Sequence, residues 1–539
     1  MMELKKMQVS AKIRQIQNDF INKTTTQKAC DVVSVLLVIL IIAMVFVALK
    51  TYLVGRSLWA DEAMLAESVI TRSLGELFAT QLLNEQSAPV LYLLVVKILT
   101  LLFGSSEVVL RLFTFIMYLG AVWLTHSMLS RCLKVDRLLS LTGTFLMASF
   151  PLFVYQYAHE FKPYMGDVFF VLLILYLYFL YVDQKINFLT VSIFLAVILW
   201  FSNPASFFVA AIMIFEFFAA INDKDYKRLR TVIIGGVIVS LSFIINYFWW
   251  LRPAATSEYM MQYWQYYKFN LFPKSRMDVD ININLIQQVL VYFFPFTAIY
   301  VFLAAIGFIT ALLQKNKITA VVGIAMVLLV VASSLGKYPI SVRMLLFFYV
   351  LIIIYVVFAI NAVSIKQSSA ADILVKVLLV LVLIFNNVEM SQQSNIYNLY
   401  QNGKEVNPLI KTIKDNVTED EFVYVMSSAL AAFKYKNAFN LETIGNVNDK
   451  ENIILGSRFY YNEERTVPEE LKIIFDRHSN GFLLFSYARG VDHSNFVNIL
   501  KQYGKVVLLQ EVKGTPLLYF IPDEEKVAVF LDEYAAMGN

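Results

Sequence analysis

Residues 89–103 read Pro89-Val90-Leu91-Tyr92-Leu93-Leu94-Val95-Val96-Lys97-Ile98-Leu99-Thr100-Leu101-Leu102-Phe103. Whether this stretch crosses a bilayer decides the side on which everything after it lies. It is short for a span, since the hydrocarbon core takes about twenty mostly apolar residues of helix, and it carries Lys97 in its middle. Eleven other apolar stretches are better candidates: 30–52, 107–130, 138–157, 165–182, 188–202, 205–221, 231–251, 285–313, 318–335, 344–363 and 373–388. Lys and Arg in short loops mark the cytoplasmic side, which tests both parities. If 89–103 does not cross and the N-terminus (Lys5, Lys6, Lys12, Arg14, Lys23, Lys28) is inside, the clusters Arg131/Lys134/Arg137, Lys185, Lys224/Lys227/Arg228/Arg230, Lys315/Lys317 and Lys366/Lys376 are all inside. If it crosses, all five move out together. The stretch is therefore expected to be an interfacial or re-entrant helix.

The composition agrees with a chain whose solvent is largely lipid. Of 539 residues 58% are hydrophobic and 16% charged, too apolar for a water-soluble globule of this length. The net charge of +4 is spread between apolar runs and carries no sign of a nucleic-acid partner. Two cysteines, Cys30 and Cys132, lie beside segments placed in the cytoplasm and make no disulfide framework. A polar, basic stretch precedes the first apolar run, so that run is expected to stay as an anchor. The expected architecture is a mainly α polytopic protein of the cytoplasmic (inner) membrane, with about eleven spans plus the interfacial helix. Its parts are a cytoplasmic segment 1–29, a transmembrane domain 30–388 and an extracytoplasmic α/β domain 389–539.

That parity collects the outer loops 53–106, 157–164, 252–284 and 336–343. In the first, Trp59-Ala60-Asp61-Glu62 opens a helical stretch, and Ser73 to Glu76 has the form of a capping box before a second short one. Beyond about Asn407, β-rich runs (Phe422 to Met426, Gly481 to Tyr487, Lys505 to Val512, Pro516 to Ile521) alternate with helical ones. They predict a small α/β domain with a terminal hairpin turning near Gly514.

Polar residues concentrate in these loops. Asp61 and Glu62 sit at the water–membrane boundary, where a carboxylate can take a proton from an attacking group, although Asp at a helix start also caps free N–H groups. His159, Glu160, Lys162 and Tyr164 form a denser cluster than anchoring needs, though charges at helix ends also snorkel to the interface. Lys337, Tyr338 and Arg343 put positive charge in a short outer loop that the orientation rule would leave free of it. A guidanium fork at Arg343 suits a phosphate, with bulk anionic headgroups as the plainer explanation. Arg111 is expected to pair with Glu107, its i,i+4 neighbour, as a structural bond. The aromatic run Tyr263, Trp264, Tyr266, Tyr267 could stack on sugar faces or shield a lipid chain, but such residues more often form an interfacial belt, and no site is assigned to it.

Taken in order, several motifs resemble the GT-C type membrane glycosyltransferases, in particular bacterial relatives of protein O-mannosyltransferases and of the lipid A aminoarabinose transferase. They are Trp59-Ala60-Asp61-Glu62, Ser87-Ala88-Pro89-Val90-Leu91-Tyr92, Phe103-Gly104-Ser105-Ser106-Glu107 with Arg111, Tyr157-Ala158-His159-Glu160-Phe161-Lys162-Pro163-Tyr164 and Tyr338-Pro339-Ile340-Ser341-Val342-Arg343. The resemblance implies Asp61 as general base with Glu62 beside it, and Arg343, Lys337 and Lys162 as ligands of the donor phosphate. Glu160, His159, Tyr164 and Tyr338 would line the substrate. It also implies a polyprenyl-phosphate sugar as donor, a lipid, glycan or protein as acceptor, and inversion at the anomeric carbon. No cofactor is required, and a divalent ion remains compatible. Lys162 stands where relatives tend to have Arg, and Ala88-Pro89 where a double proline or Lys-Pro is common. The competing reading is a flippase or transporter of lipid-linked sugars, which would place ionisable groups near the bilayer midplane; here they gather at helix ends.

The topology is open to direct labelling. In a chain whose two native cysteines are replaced by Ser, Ser73→Cys and Lys337→Cys are expected to react with a membrane-impermeant thiol reagent from the same, outer side. Labelling from opposite sides would remove the shared compartment on which this assignment depends.

Overall fold

A computed structural model of the chain describes residues 25–79, 81–294, 297–362, 370–392, 405–436, 452–456, 466–486 and 493–536. The basic segment 1–24 and the loop containing Lys366 lie outside the described residues. The protein is mostly helical and is a multi-pass membrane protein. Seven described helices are long and apolar enough to cross: Cys30–Leu53, Glu107–Cys132, Arg137–Tyr155, Tyr164–Val182, Ala205–Asn222, Tyr226–Thr256 and Lys317–Ser334. Leu346–Ala362 is shorter but apolar on every side and buried almost throughout, as befits a helix at the centre of a bundle.

Two of the expected spans differ. The stretch 285–313 is two helices, Arg276–Phe293 and Thr297–Leu313, inclined by 94°. Pro295 lies between them, and a proline both lacks an N–H and disfavours helix in the residue before it. The stretch 188–202 forms helix only over Phe188–Ile198, which at about 1.5 Å per residue is too short to cross the hydrocarbon core alone.

Four turns that join these helices are built alike. Lys134, Gln184, Lys224 and Lys315 adopt left-handed backbone at φ 52, 59, 55 and 57°. In three of them the next residue closes a helix-ending bond, from Lys185 N to Leu180 O, Asp225 N to Ala220 O and Asn316 N to Ala311 O. Asp136, Asn187, Asp225 and Asn316 then cap the following helices by accepting from the backbone N–H three residues on.

The helix Val90–Phe103 is about 21 Å long at 1.5 Å per residue. Its start is tied by Leu91 N to Trp200 O at 3.0 Å and by Trp250 Nε1 to Ala88 O at 2.7 Å. Lys97 is buried and turns back, its ammonium donating to Val69 O at 2.7 Å. Gly104, at φ 84°, ends the helix, and the chain enters Glu107–Ser127 at the same end of the bundle, beside Arg56 and Ser57. Leu101, Leu102 and Phe103 at its tip are mostly exposed.

The C-terminal residues form a five-stranded sheet in the order β2-β1-β3-β5-β4, with β1 Phe422–Val425, β2 Ile453–Leu455, β3 Gly481–Leu484, β4 Gly504–Val512 and β5 Thr515–Pro522. The first three are parallel, and β5 pairs antiparallel with both β3 and β4. Lys513 and Gly514, both at positive φ, make the two-residue hairpin turn expected near Gly514. Helices Asn407–Asn416 and Ser427–Lys434 cover one face of the sheet; Val467–Phe475, His493–Leu500 and Glu524–Ala536 cover the other. The short β2 and the helix Ser427–Lys434 lack an apolar pattern long enough to announce them in the sequence.

Packing inside the bundle is close where a site loop needs support. Thr297–Leu313 lies against Leu346–Ala362, the helix that follows Arg343, and a Cβ on Gly307 would stand 2.0 Å from Tyr355 O. Only glycine fits that approach. Gly307→Leu is expected to cost about 1–3 kcal/mol or more through overpacking against rigid backbone, read as a lowered Tm in detergent. A Tm equal to the parent would show that the two helices separate freely.

Candidate active site

Between the first span and the helix Ala60–Thr71 runs a short connector, Gly55 to Trp59, in which Arg56 and Ser57 are buried. The carboxylate of Glu62 lies at its centre with no exposed surface. Arg111 donates to it twice, Nε to Oε1 at 2.9 Å and Nη2 to Oε2 at 2.7 Å; Arg56 Nη1 donates at 2.9 Å and Phe161 N at 2.6 Å. Trp59 N adds a longer bond at 3.3 Å, so Glu62, at the third helical position, caps the helix. Arg111 also donates to Arg56 O at 2.7 Å and Ser57 O at 3.1 Å. Burial by itself would raise the Glu62 pKa, but Arg111, Arg56 and the bonds from Arg111 and Phe161 outweigh it and hold it well below the usual carboxylate range.

Two expectations are corrected here. Glu62 is sealed and fully engaged, so it cannot touch a substrate; it is a positioning residue. Arg111 takes Glu62 as its partner, while Glu107 accepts from Asn407 Nδ2 at 2.7 Å and pairs with Lys436 Nζ at 2.9 Å. The capping reading of Asp61 also falls, since Glu62 fills that place.

Asp61 turns to the other side and is about one-third exposed. Its Oδ2 meets Arg343 Nη1 at 3.1 Å, across 282 residues of sequence. Arg343 belongs to the turn Val342–Met344, which is held by Tyr338 OH donating to Met344 O and by Ile340 N donating to Tyr267 O. Its Nη2 donates to Tyr263 OH at 3.0 Å, and its guanidinium lies 5.0 Å from the Trp264 ring centroid. Lys162 is buried close by, donating to Gln86 Oε1 at 2.6 Å. Burial lowers its pKa, as does Arg343, while Asp61, Glu160 and Glu62 act to raise it.

The other candidates are placed less uniformly. Tyr164 is buried against Tyr157, within the electrostatic reach of Arg343 and Asp61. Glu160 is buried and accepts from Gln156 Nε2 at 2.6 Å. His159 is buried, 3.2 Å from Val154 O, and burial with Arg56 and Arg111 pushes its pKa down to about 3, so it is neutral and supports the loop from behind. Tyr338 is likewise buried and supports the Arg343 turn. Lys337 is exposed. These positions correct the substrate-lining role expected for His159 and Tyr338. Asp61, Arg343, Lys162 and Tyr164 come together; Gln86 joins them through Lys162, and Tyr263 and Trp264 through Arg343, while Arg56 belongs to the Glu62 cluster. Arg56 carried a readable signal, a basic residue on the outer side, whereas Gln86 carried none. Among the described residues no cluster of three or more His, Cys, Asp or Glu is arranged to hold a metal.

No family model matches the sequence, and no curated protein matches it. Solved structures do. ArnT from Cupriavidus metallidurans bound to undecaprenyl phosphate aligns with a TM-score of 0.51 at 11% identity, covering 90% of this chain and 97% of its own. The same protein in the apo state gives 0.49 at 12%, covering 91% and 98%. The archaeal oligosaccharyltransferase AglB from Archaeoglobus fulgidus, in complex with an inhibitory peptide and a dolichol-phosphate, gives 0.45 at 11%, covering 91% and 74%. At such identities the likeness is one of fold alone, a fold this chain shares with ArnT.

Removing one side of the buried cluster should be severe. Arg111→Ala leaves Glu62 buried beside Arg56 alone and is expected to cost about 3–5 kcal/mol, measured by denaturation in detergent. Because the folded pKa of Glu62 is depressed, its stabilisation is present above the unfolded carboxylate value and fades only as pH falls through the lower folded one. The Arg111→Ala penalty should therefore persist unchanged from neutral pH to about pH 5. A penalty that vanishes above pH 5 would contradict the depressed pKa.

Proposed function

We propose that this protein is an inverting glycosyltransferase that moves a sugar from a polyprenyl-phosphate donor to a lipid, glycan or protein acceptor at the outer face of the cytoplasmic membrane. The observation that carries this reading is the Asp61–Arg343 pair with Lys162 beside it, at a partly exposed mouth. The fold is one seen in ArnT bound to undecaprenyl phosphate. In this reading the N-terminus is cytoplasmic, residues 30–388 form the transmembrane domain and 389–539 the outer α/β domain.

The chemistry follows from charge. Asp61 accepts the proton of an acceptor hydroxyl or amine as its lone pair attacks the anomeric carbon. The bond from that carbon to the phosphate oxygen breaks on the opposite face, which inverts the centre, and the electron pair leaves with the monophosphate. Arg343 and Lys162 stabilise that departing charge. A phosphate arriving at Arg343 competes with Asp61 for the same guanidinium, so donor binding frees the carboxylate for the acceptor. Tyr263 and Trp264 hold the guanidinium plane during the exchange. Protein cations suffice to neutralise a monophosphate, so no metal is required, and a divalent ion stays compatible with the site. Glu160 and Tyr164, buried behind the pair, act through its field, and Lys337 is the exposed cation we assign to the donor's approach.

Two variants separate the roles. With an undecaprenyl-phosphate sugar presented in detergent, Asp61→Asn is expected to lower turnover by about 10²–10⁴-fold while undecaprenyl phosphate still binds. Arg343→Lys, which gives up the planar fork, is expected to weaken that binding by about tenfold or more. Turnover retained in Asp61→Asn would remove the proposed base.

A further inference from the structure

Every polar atom of Ser57 is used, and the uses divide between two parts of the molecule. Its carbonyl accepts from Arg56 Nη1 at 3.0 Å and Arg111 Nη2 at 3.1 Å, within the cluster around Glu62. Its amide and hydroxyl donate to Glu405 Oε1 at 3.1 and 2.5 Å, and its hydroxyl oxygen accepts from Val406 N at 3.1 Å and Asn407 N at 2.9 Å. Ser57 is buried and stands four residues before Asp61.

The segment it grips belongs to the sheet domain. Asn407 begins the helix Asn407–Asn416, whose Leu409, Ile410 and Ile413 pack in the core beneath β1, β3 and β5. Further ties lie alongside: Asn407 Nδ2 and Lys436 Nζ to Glu107, and Tyr435 OH to Ser105 O at 2.6 Å. The helix Ser427–Lys434 rests on Ala60–Thr71, the helix that carries Asp61.

We infer that Ser57 is a positioning residue through which the C-terminal domain, docked by Glu405 and Asn407, holds the Asp61 carboxylate in register with Arg343. The domain is thus a working part of the active site. The inference rests on the transferase reading above. A connector held only by the Glu62 cluster would be anchored on one flank, leaving the helix start free to rock; the second grip fixes its direction. Displacements of about 1 Å in a reacting group lower rates by about 10²-fold. The donor, held by Arg343 and by its own chain in the bilayer, does not depend on Ser57.

The test uses the full chain in detergent with three variants: Ser57→Ala, Glu405→Leu and Glu405→Gln. The last keeps an oxygen that can accept both Ser57 bonds. Ser57→Ala and Glu405→Leu are expected to lower turnover of an undecaprenyl-phosphate sugar by about 10–10²-fold, with affinity for undecaprenyl phosphate within about threefold of the parent. Hydrogen exchange of the amides 56–63 should quicken in both. Glu405→Gln should restore turnover to within about threefold and slow exchange again. Parent-like turnover in Ser57→Ala and Glu405→Leu overturns the inference, as does an equal loss of undecaprenyl phosphate binding, which marks general unfolding. Asp61→Asn, run beside them, keeps the two ideas apart: if it remains active the transferase assignment of the base fails, whatever Ser57 does.

Discussion

A carboxylate with no access to water, gripped by two guanidinium groups, is the constraint on which the outer loops depend. Taking three charges out of water is expensive, and the return in Coulomb energy is adequate only when geometry and hydrogen bonding are nearly complete. Glu62 meets that condition with donors from Arg56, Trp59, Arg111 and Phe161. Such a cluster adds less to net stability than its bond count suggests, but it tolerates no other arrangement. The first span's exit, the acidic helix, the helix Glu107–Ser127 and the loop before Tyr164 are therefore locked to one another in a single register.

That lock explains why two adjacent acids do different things. Successive residues on a helix point about 100° apart, so neighbours cannot share a face. With Glu62 driven into the bundle, Asp61 must look toward the mouth, where Arg343 meets it. Arg343 in turn has an aromatic floor in Trp264 and a hydroxyl in Tyr263. The cations at the mouth are thus partly dehydrated and pre-oriented, the state that would favour the phosphate proposed for them. Lys162, a compact charge held by Gln86, gives up directional recognition but keeps its field.

The parts of this arrangement that a linear reading reached were those with a local cause. The Ser73–Glu76 box, the hairpin at Gly514 and the half-length helix at Pro89 each announce themselves through spacing or length. Asp61 and Arg343 could be singled out because each sat in a place where charge is costly or contrary to the orientation rule. Partners were not legible. Arg111 has an acid one turn away, yet it reaches an acid 49 residues back, because Glu107 faces the sheet domain. Nothing local distinguishes those choices; tertiary packing makes them. The bend between Arg276–Phe293 and Thr297–Leu313 was hidden by hydrophobicity, which is blind to a proline inside an apolar run. Tyr263 and Trp264 were hidden by company, being part of a run whose commonest use is to sit at an interface.

The helix Val90–Phe103 also has a mechanical meaning in the proposed topology. There it would occupy area in one leaflet without a counterpart in the other, which makes the protein a wedge within the membrane plane. Lipid around the exposed Leu101, Leu102 and Phe103 would then be displaced from one monolayer alone. In that placement the folded state does work against lateral pressure in that monolayer, and its comfort depends on the spontaneous curvature of the surrounding lipids. Cone-shaped lipids, which lessen crowding at the headgroup level, favour the seated helix, and with it the bonds its first turn makes to Trp200 and Trp250.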